Sequence, residues 1–281
     1  MTIFTCENDL DAMMTCLYDA WASGLGHRRI RLMIEPVLEP ELFCDYHHID
    51  ADHDKAAKVI RSIQKKISSA TWHMVYRCAM ASGSEKLDII YRFLLYGFSY
   101  GNRAMQMFQE ASVAAFFALD RRVKNEAHHY REFIRFSSFP GDVLVSHISP
   151  RSDVLTLTAP YFADRLPSEY WIIIDDTRHT AAVHPKDGDF YITQLDPEEF
   201  ARLNVPGQEE DPYPELWKGF FRSVSMKARE NYRCQRGFRT MSVGRIPCIR
   251  SGLNPFLRGC VSQFFHKDTI FWSHFSFRII S

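Results

Sequence analysis

The apolar residues of this chain change their spacing near Glu132, and that change limits the fold more than any other feature. Before it they recur at helical intervals. Leu10, Met13, Met14, Leu17 and Trp21 fall at i, i+3, i+4, i+7 and i+11 behind the capping candidates Asn8 and Asp9. This spacing predicts a packed amphipathic helix after a short strand at residues 2–5. Val59, Ile60, Ile63 and Ile67 form a second stripe, started by the acids at 50–54, and Leu87, Ile90, Tyr91, Leu94 and Phe98 form a third. The apolar run 113–119 continues into 121–130, so the first 130 residues read as mainly helical.

After Glu132 the pattern is that of strands. EFIRFSSF, DVLVSHI, WIIID, TAAVH and DFYITQ are short and rich in β-branched or aromatic residues. They are separated by Pro-Gly, Asp-Thr-Arg and Pro-Lys-Asp-Gly, which are turn compositions, and predict an antiparallel sheet. Between the second and third strands, DVLTLTAPYFADRL reads as a helix interrupted or begun near Pro160. Helices return at Asp196-Pro197-Glu198-Glu199, an N-cap with Pro at the first helical position. The expected class is α+β: a mainly helical N-terminal half, then an antiparallel sheet flanked by helices in the C-terminal half. The expected divisions are 1–120, 121–236 and an atypical tail at 237–281.

With 281 residues the chain has room for two domains or one large one. Its charges balance at 34 bases and 34 acids, but unevenly: residues 222–281 carry eleven Lys and Arg against Glu230 and Asp268. Seven cysteines, an odd number without CxxC spacing, favour reduced thiols in a cytoplasmic protein over a disulfide framework. The acidic start MTIFTCENDLD does not resemble a secretory signal. No apolar stretch approaches the roughly 20 residues a bilayer-spanning helix needs, so no membrane association is expected.

Several clusters carry chemistry-bearing side chains. The run from Asp45 to Asp54 holds three histidines and four aspartates, ligand types for zinc or iron. Its members are consecutive across a strand end and a helix start rather than convergent, so a solvated loop and helix N-cap is the favoured reading, and neither a metal site nor a cofactor is expected. Glu126 and His128, with His129, Arg131, Glu132 and Arg135, offer either an acid–base group or an ion-pair network at a helix-to-strand junction. Asp175, Asp176 and Arg178 follow an apolar run. Adjacent carboxylates on a strand point to opposite sides, so an Asp-to-Arg bridge is the favoured reading over a catalytic pair. No GxSxG, GxxxxGK[ST] or GxGxxG motif is present, Gly24-Leu25-Gly26 lacks a third glycine, and His184-Pro185 reads as a turn.

In YPELWKGFFRSVSMKARENYRCQR, residues 213–236, Trp217, Phe220 and Phe221 form an apolar side, while Lys218, Arg222, Lys227, Arg229, Arg233 and Arg236 supply positive charge. Such interleaving suits phosphate tracking and base stacking. Trp and Phe at helical spacing are more often core and a basic helix often only neutralises an acidic protein, so composition alone favours the structural reading.

Four segments in order, HHIDADHDKAAKVIRSIQKKIS, VKNEAHHYREFIRF, VSHISPRSDVLTLTAPYFADRLPSEYWIIIDDTRHTAAVH and YPELWKGFFRSVSMKARENYRCQR, resemble a bacterial family linked to DNA metabolism or repair. That family is defined by a domain of unknown function and is commonly encoded beside a radical-SAM protein; related domains occur fused to uracil-DNA glycosylase-like domains. The resemblance runs from near the N-terminus to about Arg236. It maps onto Glu126, His128, Phe133, Arg135, Phe136, Phe162, Arg165, Trp171, Asp175, Arg178, Trp217, Lys218, Arg229 and Asn231, without an established active site. Tyr161 stands where a histidine is usual before Phe162. The tail from Gly237 departs from the family's ending and reads as translated out of the ancestral frame.

The resemblance implies a cytoplasmic DNA-repair or DNA-processing accessory protein with a radical-SAM partner. Arg135, Arg178, Trp217, Lys218, Arg229 and Asn231 are its candidate nucleic-acid or partner contacts. The alternative is a stand-alone hydrolase or glycosylase-like enzyme using Glu126, His128 and Asp175, and a third reading makes all of these residues structural.

Overall fold

The computed structural model describes residues 1–139 and 141–203. They fall into two compact units, Met1–His129 with Arg151–Val154, and Tyr130–Pro150 with residues 155–203.

In the first unit β1 (Thr2–Cys6) leads into α1 (Leu10–Ala22), followed by β2 (Ile30–Ile34), β3 (Asp45–His48), α2 (His53–Lys66), α3 (Ser69–Ala79), α4 (Lys86–Tyr100), a 3-10 helix (Gly101–Gln106) and α5 (Ala111–Phe133). Side-chain caps start the first three helices. Asp9 accepts from the N–H groups of Asp11 and Ala12, Asp52 from those of Asp54 and Lys55, and Ser68 from that of Thr71, each satisfying donors that a helix start leaves open.

The helical reading of this half is correct but incomplete. β1 is the middle strand of a three-stranded sheet in the order β2-β1-β3, parallel to both neighbours. Ile3 and Cys6 of β1, Ile30 and Leu32 of β2, and Met13, Met14 and Leu17 of α1, which packs on both strands, are all buried. Each such side chain contributes about 1.5–3 kcal/mol relative to exposure. The second and third apolar stripes pack as expected, with Ile63, Leu87 and Ile90 fully buried. Phe93 of α4 stacks on Phe116 of α5 at 3.8 Å between ring centroids. Trp21 departs from its stripe and stays on the surface.

The second unit holds a five-stranded sheet in the order β4 (Ser137–Phe139), β5 (Val143–Ile148), β6 (Tyr170–Asp175), β7 (Thr180–His184), β8 (Tyr191–Gln194). Three of its pairings are antiparallel, as expected; β5 and β6 are parallel. The antiparallel expectation is therefore corrected at one pairing, and the cause is α6 (Leu155–Arg165), which returns the chain to the starting edge as a parallel pair requires. α6 also runs through Pro160 instead of breaking there. Its buried face, Leu155, Thr158, Ala159 and Phe162, supplies the packing that outweighs one lost helical hydrogen bond.

α7 (Pro197–Leu203) starts as the sequence indicates, with Pro197 at its first position and Glu199 reaching back to the N–H of Asp196 at 3.3 Å. Val145, Ile174, Ala181 and Leu195 form a core against which Phe200 and Leu203 pack. Trp171, fully buried, lies flat on the ring of His184 at 4.9 Å.

Candidate functional site

The turn after β6 gathers several of the predicted residues. Asp175 ends the strand with its side chain fully buried, and its Oδ1 accepts the N–H groups of Thr177 at 2.9 Å and Arg178 at 3.3 Å. Its Oδ2 accepts Arg178 Nη1 at 2.7 Å, and the same nitrogen lies 3.3 Å from the Pro150 carbonyl. Burial pushes the Asp175 carboxyl above the usual carboxylate range, opposed by the Arg178 guanidinium. The Asp-to-Arg bridge read from the sequence is what the structure holds. Asp176 points elsewhere: its carboxylate meets His147 Nδ1 at 2.8 Å, while His147 Nε2 lies 3.2 Å from the Leu203 carbonyl. His147 thereby links β5 to α7, a contact that spacing alone does not reveal.

Glu126 is also spent on structure. On α5 it is buried and accepts the N–H groups of Arg151 at 2.6 Å and Ser152 at 3.2 Å, clamping the segment Arg151–Val154. His128, two residues along the helix, is exposed, so the pair does not share a face. Arg135 is exposed, with Nη1 donating to the carbonyls of Glu132 and Ile134. Tyr161 is exposed on α6, and its hydroxyl accepts from Arg165 at 3.3 Å. Trp217, Lys218, Arg229, Asn231 and the tail lie outside the described residues.

The histidine-rich run from Asp45 to Asp54 divides among separate tasks. Asp52 caps α2, His53 Nδ1 meets Asp11 at 3.0 Å, and His48 sits between Glu35 at 2.8 Å and Asp50 at 3.3 Å. Among the described residues no three His, Cys, Asp or Glu side chains are grouped to hold a metal ion. His48 and Glu35 close a crevice of about 650 Å³ at the carboxyl ends of the parallel strands, where Thr5, Asn8 and Tyr46 also line it. Hydrogen bonds from Thr5 and then His48 hold the Glu35 carboxyl below its ordinary range, and Glu35 raises His48 in return.

Among the described residues α2 carries a basic surface that the sequence reading passed over. α2 buries Ala56, Val59 and Ile63 and turns Lys58, Arg61, Lys65 and Lys66 outward. Lys58, Arg61 and Lys65 stand at i, i+3 and i+7, one face of the helix. None of the four is ion-paired among the described residues, although Lys66 lies 5.7 Å from the Phe98 ring centroid. The signal was present in HDKAAKVIRSIQKK, an acidic cap followed by bases at helical spacing. Such a ridge can track a phosphate backbone, each base displacing a condensed counterion.

Among the described residues no helix is long and apolar enough to cross a membrane. No curated protein matches the chain. Residues 84–241, more than half of the chain, match the model of a domain of unknown function, DUF4130, and the protein belongs to that family.

Proposed function

We propose that this is a cytoplasmic accessory protein of DNA repair or DNA processing, working with a radical-SAM partner and binding nucleic acid through its phosphates. The observation that carries the binding reading is the α2 ridge, four outward bases on one helix with no carboxylate paired to them among the described residues. A basic helix that merely balanced neighbouring acids would engage them, as Lys55 engages Asp19 at 2.8 Å. Arg135, Lys218 and Arg229 are further candidate contacts by resemblance, whereas Arg178 serves first to hold the β6–β7 turn.

The state of the two carboxylates favours binding over hydrolysis. Glu126 and Asp175 each give both oxygens to fixed donors, and a general acid or base needs an oxygen within reach of substrate. Purification with the neighbouring radical-SAM protein, followed by DNA titrations at two salt concentrations with each protein alone and with both, tests the proposal. A salt-sensitive complex with DNA is the expected result. Absence of any complex and of DNA binding removes the proposal.

A further inference from the structure

Trp21 closes the apolar stripe of α1, yet it is 41 % exposed where Met13, Met14 and Leu17 are buried. It is held in place by other rings. Phe98 lies edge-on at 5.3 Å between centroids, Tyr91 at 6.2 Å, and His27 tilts against it at 5.0 Å with Nδ1 2.8 Å from the Tyr91 hydroxyl. Tyr91 is buried, which pushes its hydroxyl up to about 12 and keeps it protonated as the partner of His27.

Trp21, Tyr91 and Phe98 line a cleft of about 320 Å³ bounded by α1, α2 and α4, to which α2 adds Lys58, Ser62 and Lys66. Among the described residues no carboxylate lines it. We propose that this cleft takes one unstacked base of a single-stranded nucleic acid against Trp21, with the flanking phosphates on Lys58 and Lys66.

The chemistry selects this occupant in three steps. A half-exposed indole braced edge-on by other rings presents a flat face at little further entropic cost, and every base has a π-face to lay on it. Two lysines without a lining acid favour an anion beside that flat group, which an apolar peptide would not supply. The volume is at the small end of the roughly 300–1,000 Å³ range of ligand clefts, suited to one base and its sugar rather than to a packed helix. Lys58 and Lys66 belong to the α2 ridge, so a strand entering the cleft continues along Arg61 and Lys65. The inference rests on the nucleic-acid reading above and adds where a base goes and that it must be unpaired.

Fluorescence polarisation of the full chain with labelled oligothymidine, beside a duplex of equal length, tests it. Trp21→Ala should bind the single strand roughly 5- to 150-fold more weakly, with duplex binding unchanged. Trp21→Phe should retain most of the affinity. Replacing Lys58 and Lys66 by Gln together should reduce the slope of log affinity against log salt by about 1.4 for the single strand. Wild-type single-strand affinity in a folded Trp21→Ala overturns the cleft assignment and leaves the nucleic-acid reading standing. If Trp21→Ala does not fold, an unchanged salt slope in the lysine variant overturns it instead. Failure of the wild type to bind either nucleic acid removes both.

Discussion

Asp175 Oδ2 receives the Arg178 guanidinium at 2.7 Å, across a turn whose N–H groups at Thr177 and Arg178 are already held by Asp175 Oδ1. One buried carboxylate therefore fixes both the turn and the position of the arginine. Asp175→Ala should cost about 3–5 kcal/mol by removing the buried carboxylate that pairs with Arg178 and accepts two turn N–H groups, and Asp175→Asn less. Urea denaturation checks this. A fully stable Asp175→Ala would mean that the turn is held by other contacts.

The same logic applies to Glu126. Glu126→Ala leaves the N–H groups of Arg151 and Ser152 without their acceptor and should destabilise by about 2–4 kcal/mol. Early hydrogen exchange at those two amides is the accompanying signature. Intact stability with protected amides would contradict the clamp and return Glu126 to the candidates for chemistry.

Much of this arrangement was legible in the chain, and what was missed has physical causes. Helices with capped starts and wide apolar stripes announced themselves, as did the later turn-bounded strands and the Asp175–Arg178 bridge; the first expected strand, EFIRFSSF, is strand only at Ser137–Phe139, because α5 runs on to Phe133. β2, Ile-Arg-Leu-Met-Ile, is a short apolar run in a parallel sheet, which periodicity cannot separate from a helix turn; β3, Asp-Tyr-His-His, is exposed and carries no apolar signal at all. The helix between β5 and β6 was read, but an intervening helix does not by itself fix the direction of the pairing, so the parallel β5–β6 pair was missed. The α2 ridge was written in the spacing of its bases, but the richer basic content after residue 213 drew the reading away from it. The exposure of Trp21 depends on rings from α4 and the loop at His27, which no local pattern encodes.

The His48–Glu35 pair makes a pH-dependent contact between the ends of β3 and β2. A raised His48 contributes stability that is full below the ordinary histidine value and lost as pH rises through its folded pKa. A lowered Glu35 contributes stability present above the ordinary carboxylate value and lost as pH falls through its folded pKa. The contact is thus strongest between those limits. An NMR titration should place the His48 midpoint above that of a free histidine, and Glu35→Gln should bring it back down.

Thiol accessibility offers a separate check on the first unit. Cys6, Cys16 and Cys78 are buried and free, and Cys44 is half-buried. A hydrogen bond with Cys6 and burial raise the Cys16 thiol, and burial raises Cys78. Iodoacetamide at neutral pH should label Cys44 well before these three, which should react only on denaturation, as read by peptide mass spectrometry. Rapid labelling of Cys16 in the native protein would contradict the packing of α1 on β1.

The nucleic-acid reading turns most directly on the salt dependence of DNA binding by the α2 ridge. Single-stranded DNA should be bound by the wild type with a steep slope of log affinity against log salt. The variant with Lys58, Arg61, Lys65 and Lys66 all replaced by Gln should show a slope smaller by about 2–3. An identical slope in a folded quadruple variant, or no DNA binding by the wild type at low salt, would contradict the account.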